Sequence, residues 1–148
     1  MRTVVLCSLL LFTPILFAAP APFAKPNRPD RSTDVDRLQG AWTRTAAYVW
    51  RSDGWQVVSA ISSDAIIRGN QFAWTGGFTA NDMVERFTLH AGTPLHGIDF
   101  TSERTHEVER GVYKIDADVL TIVLAKRGEQ RPFSLDNGHL KLVFRRKR

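Results

Sequence analysis

The chain has 148 residues, of which 43% are hydrophobic and 24% are charged, and this is the composition of one ordinary globular domain. The formal net charge is +5, and the cations are spread along the chain except in the final segment Arg145–Arg148. No nucleic-acid-binding motif accompanies that basic tail, so we expect no nucleic acid partner.

Residues 1–24 have the order of a secretory signal peptide. Basic Arg2 precedes an apolar run over residues 3–17, and small, helix-breaking residues follow. The run is short and contains Pro14, so we predict a cleaved signal and no stable membrane span, with an uncleaved anchor as the alternative. The only cysteine, Cys7, lies in this run, so the core alone would stabilise the exported domain. We predict a periplasmic or extracellular protein.

Residues 25–37 are rich in proline, arginine and aspartate and lack periodic apolar positions, which predicts a flexible linker. One of the three polar residues at 32–34 is placed to cap a helical turn over Val35–Leu38. The predicted folded domain spans residues 38–148 and ends in the basic tail.

From residue 38 onward, short runs with a period of two alternate with turn residues, which predicts β-strands. The first strand opens with the segment Leu38-Gln39-Gly40-Ala41-Trp42 and continues to Trp50. The pair Gly69-Asn70 fits a two-residue hairpin loop with positive φ at both positions. The other strands are predicted over residues 55–61, 65–68, 71–75, 83–90, 95–101, 105–115, 119–125 and 140–144.

A meander of this length leaves two unpaired edges unless it closes on itself. We therefore predict an all-β fold, a small antiparallel up-and-down β-barrel of about eight strands. Gly40 lets the chain bend inward, and the indole of Trp42 plugs the narrow end. A β-sandwich with hairpin connections is the alternative.

Four segments stand out in order along the chain: Leu38 to Trp42, Ile98-Asp99, Gly111 to Leu120 in the pattern G-x-Y-x-x-D-x-D-x-L, and Arg131-Pro132. Together they resemble those of a family of exported lipocalin-like domains abundant in planctomycete bacteria. The resemblance covers residues 38–145 and implies a lipocalin-like barrel, but it implies no activity. That span is short for a transport lipocalin, which leaves a filled interior open.

Lipocalin-like barrels often stack a cationic side chain from the last strand on the tryptophan of the first. The resemblance therefore implies a structural cation–π contact on Trp42, with Arg145 or Lys141 as the cation. We take Gly40, Trp42 and Arg145 together as the predicted barrel plug.

Alternation from an inward Trp42 turns further aromatic side chains toward the interior. Around a cavity, these rings would bind a small apolar or amphipathic ligand; in a filled barrel, they would simply form the core. The predicted lining residues are Tyr48, Trp50, Phe72, Trp74, Phe87, Phe100 and Tyr113.

Candidate chemistry is sparse, and we predict no enzyme, no cofactor and no metal. The sequence contains no G-x-S-x-G, P-loop or H-E-x-x-H motif. Glu107 and Glu109 lie two apart among alternating charges, which indicates a solvated ladder rather than a catalytic pair. Four histidines have spacings that match no metal-ligand pattern: His90, His96, His106 and His139.

Two functions follow as hypotheses. The first is an exported binding module for a small apolar or amphipathic ligand. The second is a filled-core structural or inhibitor-like interaction domain that contacts an envelope protein or an anionic polymer through its outer face, residues 25–36 or the tail Arg145–Arg148. An interior hollow of about 300 Å³ or more would favour the first.

Overall fold

The computed structural model describes residues 33–59, 63–75, 83–92 and 95–148, so the predicted signal peptide and most of the predicted linker lie outside the described residues. No helix in this part of the chain is long and apolar enough to cross a bilayer. The described elements are α1 (Asp34–Leu38), β1 (Gly40–Arg51), β2 (Gly54–Ser59), β3 (Asp64–Arg68), β4 (Gln71–Thr75), β5 (Met83–His90), β6 (His96–Ser102), β7 (Val108–Asp116), β8 (Val119–Leu124) and β9 (Leu140–Arg146).

The strands form one antiparallel sheet that closes on itself. One edge of β1 pairs with β9, and the other edge pairs with β3 and then with β2. Because β2 and β3 follow each other along the same edge, they share one position in the ring, and the barrel has eight strand positions in up-and-down order. The predicted all-β barrel of about eight strands is confirmed, and the pairing of β1 with β9 argues against the sandwich.

Helix α1 is a capped turn that belongs to the folded domain. The Thr33 hydroxyl accepts a hydrogen bond from the Asp36 amide at 3.3 Å, and the Asp36 carboxylate accepts one from the Thr33 amide at 3.0 Å. The predicted turn is confirmed with Thr33 as its cap. The assignment of a flexible linker up to residue 37 is wrong at its end, because residues 34–37 are helical.

The hairpin between β3 and β4 has the predicted two-residue loop, since Arg68 pairs with Gln71. Gly69 has a φ of 58°, in the left-handed region that favours glycine. Asn70 does not have a positive φ, so the expectation of positive φ at both loop positions is wrong.

An irregularity in β1 changes which side chains face the core. The pairing with β9 shifts between Arg44 and Ala46, so Thr45 is an extra residue in the strand. An extra residue reverses the alternation beyond it, and the following side chains exchange faces. Ala47 is therefore buried with 3% of its surface exposed, whereas Trp50 is 46% exposed.

One hydrophobic core runs through the barrel. We call the end that holds Trp42 the base and the opposite end the upper end. Nearly every strand contributes inward side chains to this core, and α1 adds one from below. The buried members are Leu38, Trp42, Ala47, Ala65, Ile67, Phe72, Phe87, Ile98, Phe100, Tyr113, Leu120, Ile122, Leu124, Leu142 and Phe144.

A second packed layer lies outside the barrel, where residues 125–139 cross the outer face of β7 and β8. Val112 and Val123 pair with each other on that face, yet they are only 4% and 0% exposed. Pro132 is buried in the crossing segment, and a Cβ at Gly138 would collide with the Val123 side chain. This long connection is thus held against the outer wall.

Candidate functional site

The base of the barrel is closed by Trp42. Its indole is fully buried, and its Nε1 donates a hydrogen bond to the Leu38 carbonyl at 2.8 Å. Gly40 has a φ of 112°, a conformation that other residues rarely adopt, and a Cβ there would lie 3.4 Å from Arg146. The glycine therefore permits both the turn into β1 and the close approach of an arginine.

That arginine is Arg146, so the prediction of Arg145 or Lys141 is wrong. The Arg146 guanidinium lies 4.2 Å from the centre of the Trp42 ring, and its Nη1 donates to the Gln39 carbonyl at 2.7 Å. Because Phe144 points into the core, the next residue on the inner side is two positions further on, and Arg145 faces outward. Lys141 stacks on a different ring, with its Nζ 4.6 Å from the centre of Trp55.

The basic tail is bound to the base rather than free. The Lys147 amide donates to the Ala41 carbonyl at 2.9 Å, and the Lys147 ammonium pairs with Asp64. Hydrogen bonds from Lys147 and Thr43 lower the pKa of that carboxyl. Arg148 pairs with Asp118 at 3.2 Å. Carboxylates of the same chain thus pair with two of the four tail cations that the sequence offers to an anionic polymer.

Tyr113 also anchors the base. Its hydroxyl donates a hydrogen bond of 2.9 Å to Asp34 in α1, and its ring is buried. Burial, reinforced by the bond to the Asp34 carboxylate, raises the pKa of Tyr113. Asp34 also lies 3.4 Å from Arg37 and 3.6 Å from His96, so one carboxylate joins the helix to two strands.

The interior above the base is occupied by aromatic side chains that touch one another. Ring centres are 4.5 Å apart for Phe72 and Trp74, 5.3 Å for Phe72 and Phe100, and 6.5 Å for Phe87 and Phe100. Phe144 joins the same cluster, 5.9 Å from Phe72. Five of the predicted lining residues thus lie inside the barrel, namely Phe72, Trp74, Phe87, Phe100 and Tyr113, and they pack against other core side chains.

The inward placement predicted for Tyr48 and Trp50 is wrong. Both follow the extra residue Thr45, and both lie on the outer face with the β9 residue Lys141, which pairs with Tyr48. Trp50 pairs with Trp55 of β2, and the two rings meet edge to face at 5.3 Å. These aromatic residues form an external patch.

Two carboxylates, Glu85 and Glu109, face inward at the upper end, since each pairs with an inward phenylalanine. Of these two, the sequence pattern singles out only Glu109, and it predicts a solvated position for that residue. Glu85 accepts a hydrogen bond from the Trp74 indole at 3.0 Å, and Glu109 accepts one from Arg127 at 2.6 Å. Burial raises the pKa of Glu85, opposed by the bond from Trp74 and supported by the charge of Glu109. The reading of Glu109 as part of a solvated ladder is therefore wrong. Glu107 is exposed and pairs with Arg127 at 2.5 Å.

Two of the four segments that carry the family resemblance meet on the outer wall. Arg131 donates to Asp99 at 2.7 Å, and the other oxygen of Asp99 lies 3.0 Å from His90 Nε2. A Cβ at Gly97 would lie 2.5 Å from the Arg131 guanidinium, so glycine leaves the space that the arginine fills. This cluster attaches residues 125–139 to β6.

The histidines lie apart. His90 and His96 each face a single carboxylate, whereas His106 and His139 are exposed. Among the residues that the structure describes, no group of three or more metal-binding side chains is close enough to hold an ion.

The interior aromatic cluster lines neither of two clefts that lie on the described surface. One, of about 290 Å³, is lined by Arg86, Thr101, Ser102, Glu103 and His106. The larger, which we call the outer cleft, measures about 370 Å³ and lies between the end of β1 and residues 125–139. Its lining residues are Trp50, Ala125, Lys126, Glu129, Gln130, Pro132, Asp136, Asn137, Gly138 and His139.

The outer cleft is built on backbone hydrogen bonds. Trp50 donates to the His139 carbonyl at 2.9 Å, and His139 donates to the Leu124 carbonyl at 2.8 Å. A tight turn lies at each side of the cleft and presents polar side chains. The Glu129 backbone amide donates to the Lys126 carbonyl in one turn, and the Asn137 backbone pairs with that of Ser134 in the other. Sequence reasoning missed this site because its walls come from distant parts of the chain. A tryptophan at the end of a predicted strand, just before a turn, is the one signal that the sequence offers.

Comparison with protein-family models, with curated proteins and with solved structures finds no match for this chain. The resemblance to the lipocalin-like family of planctomycetes therefore stays a prediction.

Proposed function

We propose that this chain is an exported, non-enzymatic interaction domain that works through the outer face of its barrel. The observation that carries the proposal is the contrast between the packed interior and the open outer cleft. Phe72 and Phe100 are 0% and 1% exposed and in mutual contact, whereas the Trp50 indole is 46% exposed in the cleft wall.

The ligand-carrier hypothesis needs a hollow inside the barrel. A carrier cavity is commonly about 300–1,000 Å³ and lined by apolar side chains. The outer cleft reaches 370 Å³, but it lies outside the sheet, and most of its lining is polar. The side chains predicted to line an interior cavity touch one another instead, which supports the interaction domain.

Export is part of the proposal and is supported by the order of residues 1–24. N-terminal sequencing of the protein from its own cells tests it. We expect the recovered chain to begin after Ala18 or Ala24 and to lie outside the cytoplasm. A cytoplasmic chain that retains Met1 would overturn export.

Titration of the full chain with N-phenyl-1-naphthylamine, an apolar fluorescent probe, tests the filled interior. We expect no saturable one-to-one binding, and native mass spectrometry of protein from its own cells should show no bound apolar molecule. Stoichiometric uptake of the probe, lost on Phe100→Trp, would establish an interior site and overturn the interaction domain.

A further inference from the structure

The outer cleft combines an aromatic face with a ring of polar side chains. Trp50 forms one wall, and its indole is fixed by the edge-to-face contact with Trp55 at 5.3 Å. Lys141 stacks on Trp55, with its Nζ 4.6 Å from the ring centre, and pairs with Asp136 at 3.0 Å. The tryptophan is therefore held in place while nearly half of its surface stays open to solvent.

The polar groups of the cleft are mixed in type and nearly balanced in charge. Gln130 and Asn137 supply amides, each of which can donate and accept hydrogen bonds. Lys126 contributes one positive charge, against the negative charges of Glu129 and Asp136. A highly anionic polymer would meet two carboxylates here, so the balance favours a neutral partner with many hydroxyl groups.

The floor of the cleft is preformed. Gly138 is packed so closely against Val123 that a Cβ would not fit, and the His139 amide is bonded to the barrel at 2.8 Å. A rigid site loses little conformational entropy when it binds. The volume of about 370 Å³ is in the range of small-molecule sites.

We propose that the outer cleft binds a neutral saccharide, as the recognition site of the interaction domain proposed above. A pyranose ring has an apolar C–H face that can stack on Trp50, and its edge carries hydroxyl groups that match amides and carboxylates. This places the partner among neutral polysaccharide chains with exposed ring faces, rather than among apolar lipids or sulfated polymers.

Two neutral probes, cellotetraose and chitotetraose, test the site on the full chain. Tryptophan fluorescence and amide NMR shifts should saturate with at least one of them, and the shifted amides should cluster around Trp50 and Asn137. Trp50→Ala should weaken binding by about tenfold or more, as expected for loss of an aromatic anchor. Phe133→Ala is the matched control, because Phe133 is an aromatic residue of the crossing segment 125–139, is 78% exposed and does not line the cleft.

Asn137→Ala is a second variant, which leaves the pair of Trp50 and Trp55 intact, and it should also weaken binding. No response to either neutral tetrasaccharide at millimolar concentration would overturn the proposal. So would tighter binding of a sulfated heparin tetrasaccharide, or unchanged binding in Trp50→Ala. Those results leave the interaction domain standing, whereas interior uptake of the apolar probe overturns that domain whatever the sugars do.

Discussion

The base and the upper end of the barrel are closed by the same kinds of side chain but in different ways. At the base, Trp42 is fully buried, donates to a backbone carbonyl and lies under Arg146. At the upper end, Trp74 is only partly buried and donates to the carboxylate of Glu85. The Trp42 indole thus bonds to the backbone and lies under a cation. The Trp74 indole bonds to a carboxylate whose ionised form is disfavoured by burial.

The difference predicts which end of the barrel has a stability that depends on pH. Backbone carbonyls are fixed, and the bond from Trp42 to Leu38 does not change with pH. A buried carboxylate prefers to be neutral, so the contact between Trp74 and Glu85 changes with protonation. We therefore expect substitutions at the base to be costly at every pH, and substitutions at the upper end to be mild and dependent on pH.

The largest effect should come from Trp42→Ala. Removing a fully buried indole costs about 3–5 kcal/mol, enough to unfold many small domains. A urea titration followed by far-ultraviolet circular dichroism measures the loss. Trp50→Ala is the control on the same strand, and because Trp50 is half-exposed and its main contact is the edge-to-face pair with Trp55, its change should stay near about 1 kcal/mol. Equal losses in the two variants would contradict the role of Trp42 at the base.

Neighbouring arginines give a sharper test. Arg146→Ala removes a cation–π contact of about 1 kcal/mol and two part-buried hydrogen bonds, to the Gln39 and Arg37 carbonyls, worth about 0.5–1 kcal/mol each, for a total loss of about 2–3 kcal/mol. Arg145→Ala removes the same charge from the outer face and should change the free energy of unfolding by less than about 0.5 kcal/mol. Thermal melts of both variants decide the assignment, and a larger loss in Arg145→Ala would reverse it.

These two arginines also show how much of the structure the sequence can predict. The period of two, the turn residues and the opening segment Leu38 to Trp42 predict the strands, the closed barrel and the buried indole. The cation on Trp42 was misplaced by one residue, because alternation assigns a face only when the count within the strand is known. In β1 the extra residue Thr45 causes the same kind of error for Tyr48 and Trp50.

Contacts between distant segments could not be predicted. The pairing of Arg131 with Asp99 joins two motif segments that the sequence separates, and the outer cleft joins Trp50 to residues 125–139. Both contacts depend on how residues 125–139 cross the outer wall of the barrel. The polar composition of that segment predicts only a solvated loop. Buried Arg44, at 7% exposure, is similar: its charge argues for solvent, whereas its position on the face of Trp42 argues for the interior.

Tyr113→Phe should have a smaller effect at the base. The variant loses only the hydroxyl bond to Asp34, while the ring remains, and this costs about 1 kcal/mol near neutral pH. Because the folded-state pKa of Tyr113 is raised, the wild type loses stability as the pH rises above about 10, where the unfolded tyrosine ionises. The phenylalanine variant lacks that loss, so the gap between the two should narrow in alkaline urea titrations. A gap that widens there would contradict the burial of the hydroxyl.

The smallest change in stability should come from Glu85→Gln, and this variant should be more stable than the wild type, unlike the others. The folded-state pKa of Glu85 is raised, so its favourable contribution is complete below the unfolded value of 4.5 and is lost as the pH rises through the folded value. Glutamine keeps an acceptor for the Trp74 indole without the charge. We therefore expect Glu85→Gln to melt at a higher temperature than the wild type at pH 7, with the difference vanishing below about pH 4.

Glu103→Gln is the control, because its ion pair with Arg86 is exposed at the same end and should be worth less than about 0.5 kcal/mol. A lower melting temperature for Glu85→Gln at pH 7 would mean that the ionised carboxylate stabilises the upper end, and the contrast between the two ends would then be lost.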